Sequence, residues 1–458
     1  MQSLRAILFV AILSLPVCAF AAGPPLGTPT PRLVQGTVVG PTDLPVAGAR
    51  VDLRDADDNI LADTLSDTDG RFAIFDLRLA AGSYVMHASA TGYAADEKSF
   101  KVGVEPQPEL TIALKLKGAS KERGISSRYT VVKVFYATDR KQAVGEQTVR
   151  YLGVKSDKGT LAYGSCEVSI PESHTFAQLE RPSVWRFEFH ADPDKHLMLQ
   201  SVTPEARDRF FHDVSASVAA SSGKEAFVFV HGYNVSFEDA TIRTAQLAYD
   251  FGFKGAPILY SWPSRASLFG YHDDEENVAQ TVGNLKQFLR DVAQSSGARV
   301  VHLIAHSMGN RALLPAVSQL AADPHFQHMD QFHTIISAAP DVDRDVFISM
   351  MQQILKPAKS SVALYVSEHD QALAASHALY HAQHRAGEGG SQSVVIQGMD
   401  TIDVSAISMD ALGHSYYGDS RSVVTDLLEF FSGKHPPRPG LTRGSVGSLG
   451  YWLLRPAN

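Results

Sequence analysis

The chain has 458 residues, 44% of them hydrophobic and 20% charged, a composition typical of globular proteins. This length allows about three domains. A formal net charge of −8, a pI near 6.1 and the lack of any Lys/Arg-rich run argue against a nucleic-acid-binding surface.

The first 21 residues have the pattern of a secretory signal peptide. Arg5 supplies a positive charge, residues 6–17 are almost wholly apolar, and small residues follow up to Ala21, after which we expect cleavage. The protein is therefore expected to be periplasmic or secreted. Lipidation at Cys18 is the alternative, although Val17 is larger than the residue usual before a lipidated cysteine. No other stretch reaches the ~20 apolar residues of a membrane-spanning helix, so no transmembrane segment is predicted.

Residues 32–117 consist of short alternating runs of polar and apolar residues that are broken by turns. Alternation with this spacing predicts an antiparallel β-sandwich. The turn-forming segments at 45–49, 66–72 and 82–84 make the region similar to the carboxypeptidase-regulatory-like, transthyretin-type β-sandwich. Residues 118–128, which are rich in Lys, Ser, Gly and Arg, are the expected linker to the next domain.

From residue 129 to residue 432, strand-like apolar runs alternate with helical segments. This alternation predicts a mainly parallel, doubly wound sheet with helices on both faces. The runs at 184–190 and 393–397 are among the predicted strands. Residues 433–458 are rich in Pro and Gly, and we expect them to form an unstructured tail.

Residues 305–309, Ala-His-Ser-Met-Gly, follow an apolar run at 300–304 and precede a helix-forming segment at 310–317. A strand, a turn with small residues two places before and after a serine, and a helix form a nucleophile elbow. Ser307 is therefore the candidate nucleophile. The pentapeptide is similar to that of small bacterial lipases. The alternative is a chance Ser-x-Gly in a structural turn.

The apolar run at 226–230 ends in His231 and Gly232. In folds with a nucleophile elbow, a loop of this kind supplies the first backbone N–H of the oxyanion hole. We therefore assign the oxyanion hole to the N–H groups of Tyr233 and of Met308, the residue after the nucleophile. His231 is expected to brace the loop. The alternative is a strand that merely ends in a glycine turn.

A nucleophilic serine needs an imidazole to accept its proton and a carboxylate to fix the imidazole tautomer. In folds with a nucleophile elbow, the carboxylate and then the histidine follow the serine in the chain. Asp370 comes soon after the apolar run at 361–366, and His414 lies after the last predicted strand and before the closing helix. These are the candidate acid and base. Asp343, which follows the preceding predicted strand, is the alternative acid.

Seven short segments have specific sequences within residues 129–431. They lie at 134–140, 168–171, 228–234, 260–264, 305–311, 339–343 and 365–367. Together they resemble a bacterial α/β-hydrolase family of largely uncharacterised function. The resemblance implies an α/β-hydrolase fold with a serine nucleophile, and it implies little about the substrate.

Arg311 lies in the first turn of a predicted helix, where a cation opposes the helix dipole, so we expect an acidic partner. Asp341 and Asp343 are the candidates, and the alternative is that Arg311 reaches solvent. Three aromatic residues after an inner strand are candidates for lining an acyl pocket: Trp262, Phe269 and Tyr271. The alternative for Trp262 is a place in the core, which is as common for a tryptophan beside a strand end.

These features lead to one expected function and two alternatives. We expect a periplasmic or secreted serine hydrolase that cleaves carboxylic esters through an acyl-enzyme, using Ser307, His414 and Asp370. The expected substrate is a small-molecule or lipid-like ester, and the reaction needs no cofactor and no metal ion. An acyltransferase or amidase would use the same triad. The other alternative is a non-catalytic envelope-binding protein that keeps the fold and binds a cell-envelope ligand through its β-sandwich.

Overall fold

The computed structural model describes most of the chain after the predicted signal peptide. The described residues are 32–40, 45–46, 49–55, 60–67, 70–77, 82–90, 93–102, 110–113, 115–116, 128–143, 149–181, 192–266, 270–356, 360–370, 373, 384–407, 416–446 and 449–456. The predicted strand at 184–190 lies outside them, as do the predicted signal peptide and all but the last residue of the predicted linker region 118–128. In this part of the chain, no helix combines the length and the apolar character needed to cross a bilayer.

The N-terminal region contains two sheets that share one apolar core. Its strands are β1 (Arg32–Val39), β2 (Arg50–Arg54), β3 (Ile60–Leu65), β4 (Arg71–Leu77), β5 (Gly82–Ser89), β6 (Tyr93–Ala94), β7 (Asp96–Val102), β8 (Leu110–Ala113) and β9 (Lys115–Leu116). One of these sheets has the order β4-β1-β8 and the other β3-β2-β5-β7, and only the pair β1–β8 is parallel in them. β6 and β9 pair with each other in a third, two-stranded sheet. Val51 and Leu53 of β2 and Met86 and Ala88 of β5 are fully buried between the sheets. The alternating pattern in the sequence thus forms a sandwich core.

The second region is built on one eleven-stranded sheet. In chain order its strands are β10 (Tyr129–Thr138), β11 (Arg140–Gln142), β12 (Tyr151–Lys155), β13 (Ala162–Pro171), β14 (Met198–Glu205), β15 (Glu225–Val230), β16 (Ala256–Ser261), β17 (Val300–His306), β18 (Phe332–Ala338), β19 (Ser361–Val366), β20 (Met399–Asp403), β21 (Leu441–Val446) and β22 (Leu449–Leu454). All except β11 and β12, which pair with each other, belong to the sheet, in the order β14-β13-β10-β16-β15-β17-β18-β19-β20-β22-β21. Neighbours from β10 to β22 are parallel, which confirms the predicted fold class.

Helices cover both faces of this sheet. Those with described bounds are α1 (Arg207–Ala220), α2 (Phe237–Asp250), α3 (Tyr271–Ser295), α4 (Asn310–Ala321), α5 (Arg344–Leu355), α6 (Tyr416–Asp419) and α7 (Arg421–Phe431). One apolar cluster packs α1, α3, α4 and α5 against one face, and a second packs α2 and α7 against the other. On β15, Ala226, Val228 and Val230 belong to the first cluster, whereas Phe227 and Phe229 belong to the second. The strand is buried on both sides, which explains its continuous apolar sequence.

The chain reverses its direction across the sheet at β15. α2 connects β15 to β16, and α3 then connects β16 to β17, which lies on the other side of β15. In doubly wound sheets, ligands bind outside the carboxyl ends of the strands at such a switch point. β15 ends at Val230 and β17 ends at His306. The predicted oxyanion loop and the predicted nucleophile therefore leave the sheet side by side.

The predicted strand at 393–397 is wrong. Residues 393–396 form no strand, and Gly398, with a φ of +91°, turns the chain before β20 begins at Met399. Val394 is nevertheless buried, and its carbonyl oxygen accepts a hydrogen bond from Thr401 Oγ1 at 2.6 Å. The apolar run packs against the core as an irregular segment. Its hydrophobicity indicates burial but does not distinguish such a segment from a strand.

The expectation of an unstructured tail after residue 432 is also wrong. β21 and β22 form a hairpin at the edge of the large sheet, with β22 parallel to β20. Leu454 of β22 is buried in the core. Between α7 and the hairpin, Arg438 makes a bidentate ion pair with Asp426 of α7, with Nε 2.7 Å from Oδ1 and Nη2 2.8 Å from Oδ2. The apolar segment of β22 pairs with β20 and is partly buried, although the region is rich in Pro and Gly, the composition on which the expectation rested.

His174 joins the segment after β13 to α2. Its Nδ1 lies 2.7 Å from Glu180 Oε2, and its Nε2 lies 2.9 Å from Asp250 Oδ1. Burial alone would lower the pKa of His174, but hydrogen bonds to Asp250 and Glu180 raise it to about 9. At neutral pH the ring is therefore protonated, and both nitrogens donate to carboxylates.

This raised pKa predicts a loss of stability at alkaline pH. The stabilisation is fully present below pH 6.5, the ordinary pKa, and is lost as the pH rises through about 9. We expect His174 to contribute a fall of roughly 2–3 kcal/mol in the free energy of unfolding over this interval. In His174→Asn that fall should be absent. Urea unfolding of both proteins across the interval measures the difference, and parallel curves would contradict the prediction.

Candidate active site

Ser307 has a strained backbone conformation at the end of β17. Its φ is +50°, in the left-handed region that residues other than glycine rarely adopt. A short 3₁₀ turn over Ser307–Gly309 leads directly into α4. Such strain persists only where the surrounding structure enforces it, and it is found mostly at functional sites. The backbone therefore has the form of a nucleophile elbow.

The turn Ser307–Gly309, which we call the nucleophile turn after the predicted role of Ser307, packs in direct contact with the loop after β15. Two glycines make this contact possible. A Cβ at Gly232 would lie 2.7 Å from His306 Nδ1 and 3.0 Å from Ser307 Cβ. A Cβ at Gly309 would overlap the carbonyl oxygen of His231, a backbone atom that cannot move aside. The small residues that the sequence predicts at the turn are thus needed because the two loops touch.

His231 holds the peptide group between Gly232 and Tyr233. Its Nδ1 lies 2.8 Å from Gly232 O, and its Nε2 lies 3.2 Å from Arg140 Nη2. Arginine can only donate, so Nε2 accepts, and Nδ1 carries the proton that is donated to Gly232 O. In a trans peptide the N–H points opposite to the C=O. This bond therefore turns the Tyr233 N–H away from His231, and it confirms that His231 braces the loop.

Arg140 is a buried cation behind this loop. It is 2% exposed, and its guanidinium donates to Ser261 Oγ at 2.8 Å, Ser264 O at 2.9 Å and Val235 O at 2.8 Å. Burial lowers the pKa of Arg140 to about 10, so it is still charged at neutral pH. Burial, together with the charge of Arg140, lowers the pKa of His231 to about 3. The imidazole of His231 is therefore neutral and serves as a fixed brace.

Two further buried side chains hold the loops beside His231. The Trp262 ring stacks on the imidazole at 5.1 Å, and its Nε1 donates to His231 O at 2.7 Å. Trp262 is fully buried, so its predicted role in an acyl pocket is wrong. Asp274 accepts from Ser264 Oγ and from the Arg265 N–H, both at 2.6 Å. Burial raises the pKa of Asp274 to about 6.

Arg311 pairs with Asp341, one of its two predicted partners. Arg311 Nη2 lies 3.2 Å from Asp341 Oδ2, and its Nε donates to Asp341 O at 2.5 Å. Arg311 Nη1 also donates to Glu275 Oε1. The Asp341 N–H donates to Ser307 O at 3.3 Å, so this ion pair adjoins the nucleophile turn. The other predicted partner, Asp343, caps a helix instead.

The two candidate acids have different environments. Asp370 is 4% exposed, and its Oδ1 accepts from the Leu373 N–H at 3.1 Å. Asp343 Oδ1 accepts from the N–H groups of Asp345 at 3.0 Å and Val346 at 3.2 Å, at the N-terminus of α5. Capping satisfies helix N–H groups that otherwise lack a partner. The carboxylate of Asp343 thus has a structural use that does not involve a histidine.

Tyr271 is the aromatic residue from the predicted acyl pocket that the structure places near the loops. Its ring meets that of Tyr233 at a centroid distance of 5.2 Å and an angle of 62°. Its hydroxyl donates to Asp341 Oδ2 at 2.5 Å. Both tyrosines are half-buried. Phe269, the third predicted lining residue, lies outside the described residues.

The structure places three of the five predicted site residues on two segments that touch. Ser307 and Met308 lie on the nucleophile turn, which packs directly against the loop after β15 that carries Tyr233. Asp370 follows β19, at the same edge of the sheet and two strands from β17. His414 lies outside the described residues, so the base stays a prediction. Across the described ranges, no group of three or more His, Cys, Asp or Glu side chains is arranged to hold a metal ion.

The supporting roles of Arg140 and Asp274 were not predicted from the sequence. In the sequence, Arg140 stands out only as the end of a family segment, and Asp274 lies in a run of four carboxylates that the structure places in the first turns of α3. One signal was available for Arg140, because it comes two residues after the buried half of β10, which ends at Thr138, and a solvated cation is not expected there. For Asp274 no local pattern separates the buried carboxylate from its exposed neighbours.

The chain matches two family models. Residues 206–430 match the model described as "Alpha/beta hydrolase of unknown function (DUF900)", and residues 33–115 match the model of the carboxypeptidase regulatory-like domain. These matches confirm the predicted combination of a β-sandwich and an α/β-hydrolase domain. No curated protein matches the chain.

Three solved structures that match parts of the chain have low sequence identity and low TM-scores. A predicted CIB-like hydrolase from Thermoplasma acidophilum is 15% identical with a TM-score of 0.29, over 47% of this chain and 89% of that one. The shaft pilin of Lactobacillus rhamnosus GG is 14% identical with a TM-score of 0.18, over 19% and 48%. The minor pilin of Streptococcus agalactiae is 18% identical with a TM-score of 0.18, over 21% and 49%. The chain spans about half the length of these pilins.

Proposed function

Because the chain carries an α/β-hydrolase domain of a family without an assigned function, we propose that it is a periplasmic or secreted serine hydrolase that cleaves carboxylic esters. The observation that carries the proposal is the φ of +50° at Ser307, on the turn between β17 and α4. A serine held in this way presents its hydroxyl at the carboxyl edge of the sheet, beside backbone N–H groups. The fixed peptide before Tyr233 adds a second donor that needs no reorganisation.

In the proposed reaction, Ser307 Oγ attacks the acyl carbonyl while His414 accepts the hydroxyl proton. Asp370 orients the imidazole, and the N–H groups of Tyr233 and Met308 donate to the oxyanion. His414 then gives the proton to the departing alcohol, which leaves an acyl-enzyme. Water, deprotonated by the same histidine, attacks the acyl-enzyme and releases the carboxylic acid. This scheme uses neither a cofactor nor a metal ion.

The proposed substrate is a small-molecule or lipid-like ester. The connection between β18 and β19 contains α5 and has no room for a large cap domain. The paired rings of Tyr233 and Tyr271 offer an apolar wall beside the proposed oxyanion donors. Since Tyr271 is itself fixed by Asp341, this wall is rigid, which favours discrimination between acyl groups by shape.

Covalent labelling by a fluorophosphonate probe is the direct test, followed by hydrolysis of p-nitrophenyl esters of graded chain length. We expect stoichiometric labelling and turnover. An amidase or an acyltransferase would also be labelled, but it would prefer p-nitroanilides or would transfer the acyl group to an added alcohol. A non-catalytic binding protein would show neither labelling nor turnover, and that result would refute the proposal.

We predict that the β-sandwich is dispensable for the chemistry. The Arg128 N–H donates to Asp194 Oδ1 at 3.0 Å, and Arg128 O accepts from the Glu172 N–H, so the chain is anchored to the second region from this residue onward. All the proposed catalytic residues come later. A protein that starts at Arg128 should fold and hydrolyse a small soluble ester at close to the full-length kcat. A folded but inactive product would mean that the two regions share the active site.

A further inference from the structure

α2 carries a row of polar side chains that are buried beneath the large sheet. Its buried polar residues are Thr241, Arg243, Thr244 and Gln246. Both threonines bond back to the carbonyl oxygens of their own helix, of Phe237 and Ala240 respectively. Arg243, which is 8% exposed, is different because a buried cation is costly unless it is paired and hydrogen-bonded.

Arg243 and Gln246 hold the segment Tyr417–Asp419 at the end of α6. Arg243 Nη1 and Nη2 lie 2.8 Å and 3.1 Å from the two carboxylate oxygens of Asp419. Arg243 Nη1 also donates to Gln246 Oε1 at 2.7 Å, and Gln246 Nε2 donates to Gly418 O at 2.9 Å. A Cβ at Gly418 would overlap the guanidinium. We call this set of contacts the α2 clamp.

The α2 clamp reaches the nucleophile turn through Tyr417. The Arg243 guanidinium lies 5.4 Å from the centroid of the Tyr417 ring. The same ring stacks on His306 at a centroid distance of 4.1 Å and an angle of 27°, and on Phe229 of β15 at 6.0 Å. His306 is the residue before Ser307, and its Nδ1 is the atom that a side chain at Gly232 would strike. Tyr417 is therefore wedged between the clamp and the nucleophile turn.

We infer that Arg243 is a positioning residue that sets the base-bearing segment against the nucleophile. Only Ser415 and Tyr416 separate His414 from Tyr417 in the chain, so fixing Tyr417 restricts where the base can lie. α2 also begins at the oxyanion loop, where the Ser236 side chain caps it. One helix thereby contacts both the loop of the proposed oxyanion donors and the segment Tyr417–Asp419, which follows the proposed base in the chain. The inference rests on the proposed function.

The bidentate geometry gives the inference a measurable size. Lysine at 243 keeps the charge but lacks the planar fork that meets both oxygens of Asp419. A misplacement of about 1 Å in a catalytic group can cost about 100-fold in rate. We therefore expect Arg243→Lys and Asp419→Asn each to lower kcat by about 10- to 100-fold. KM should stay almost unchanged, because the clamp contacts no substrate.

Arg438→Lys is the matched control. Arg438 is also buried, also makes a bidentate ion pair, with Asp426, and also lies over an aromatic ring, that of Phe430 at 5.1 Å. Among the described residues, its hydrogen bonds and its ring contact are with Asp426, Lys434 O and Phe430, none of which belongs to the α2 clamp. Arg243→Lys and Arg438→Lys should therefore lower the Tm by similar amounts, while only the first lowers kcat and the rate of fluorophosphonate labelling.

A double-variant cycle separates positioning from general loosening. The double variant Arg243→Lys/Asp419→Asn should have a kcat no lower than that of the worse single variant, since both changes disrupt the same ion pair. Normal kcat in Arg243→Lys, or an equal fall in Arg438→Lys, would overturn the inference. Both outcomes leave an active wild type, so they refute the role of Arg243 alone. A wild type that is neither labelled nor active would refute the proposed function and this inference with it.

Discussion

Ser307→Ala should abolish fluorophosphonate labelling and reduce ester hydrolysis by about 10⁶-fold, the scale seen when a serine nucleophile is removed from a complete triad. The oxyanion donors would remain and give only residual stabilisation of the transition state. The fold should accept the change, because Ala339 already adopts a φ of +46° in this protein. Labelling and kcat measured beside the Tm test this expectation.

Ser337→Ala is the appropriate control for that variant. Ser337 is fully buried on β18, and in the part of the chain that the structure describes its Oγ has no hydrogen-bond partner. Its loss should leave both labelling and turnover intact. Undiminished labelling of Ser307→Ala would remove Ser307 from the role of nucleophile.

Asp370→Asn should lower kcat by about 10⁴-fold with little change in Tm. Asparagine keeps the shape of the side chain but favours the wrong imidazole tautomer. Asp343→Asn should leave both kcat and Tm close to those of the wild type, because asparagine caps a helix as well as aspartate does. The ion pair of Arg311 is with Asp341, so neutralising Asp343 leaves that pair intact.

The comparison of the two variants decides between the candidate acids. Steady-state kinetics gives kcat, and thermal unfolding gives Tm. A near-normal kcat in Asp370→Asn, together with a collapse in Asp343→Asn, would transfer the role of acid to Asp343.

The parts of the site that the sequence predicted are those governed by local sterics. The turn at Ser307 needs small neighbours, and the loop at Gly232 needs to approach it closely. Both requirements place small residues at fixed positions within a few residues of each other, so they can be recognised in the sequence. The sandwich and the parallel sheet were likewise predictable from periodicity. The strands of the sandwich alternate because they are buried on one face, and the inner strands of the parallel sheet are continuously apolar because they are buried on both faces.

The parts of the structure that were not predicted from the sequence depend on contacts between distant segments. Arg140 reaches Val235 and Ser264, about a hundred residues away in the chain. Arg243 likewise meets Asp419 through a contact that spans 176 residues. The hydrophobic periodicity of a sequence does not show which distant residues form a pair. A single buried cation also cannot be distinguished in the sequence from a solvated one. The edge hairpin was missed for a related reason, since its stability comes from pairing with β20.

The backbone at Ser307 also limits which chemistry this position could acquire by substitution. Threonine carries a hydroxyl, but a β-branched side chain is a steric outlier at positive φ, so its second substituent would strain the turn. Cysteine is unbranched and fits the same conformation. A lineage that inherits this turn can therefore exchange a primary alcohol for a thiol, whereas a secondary alcohol would first require the strand-to-helix connection to be rebuilt.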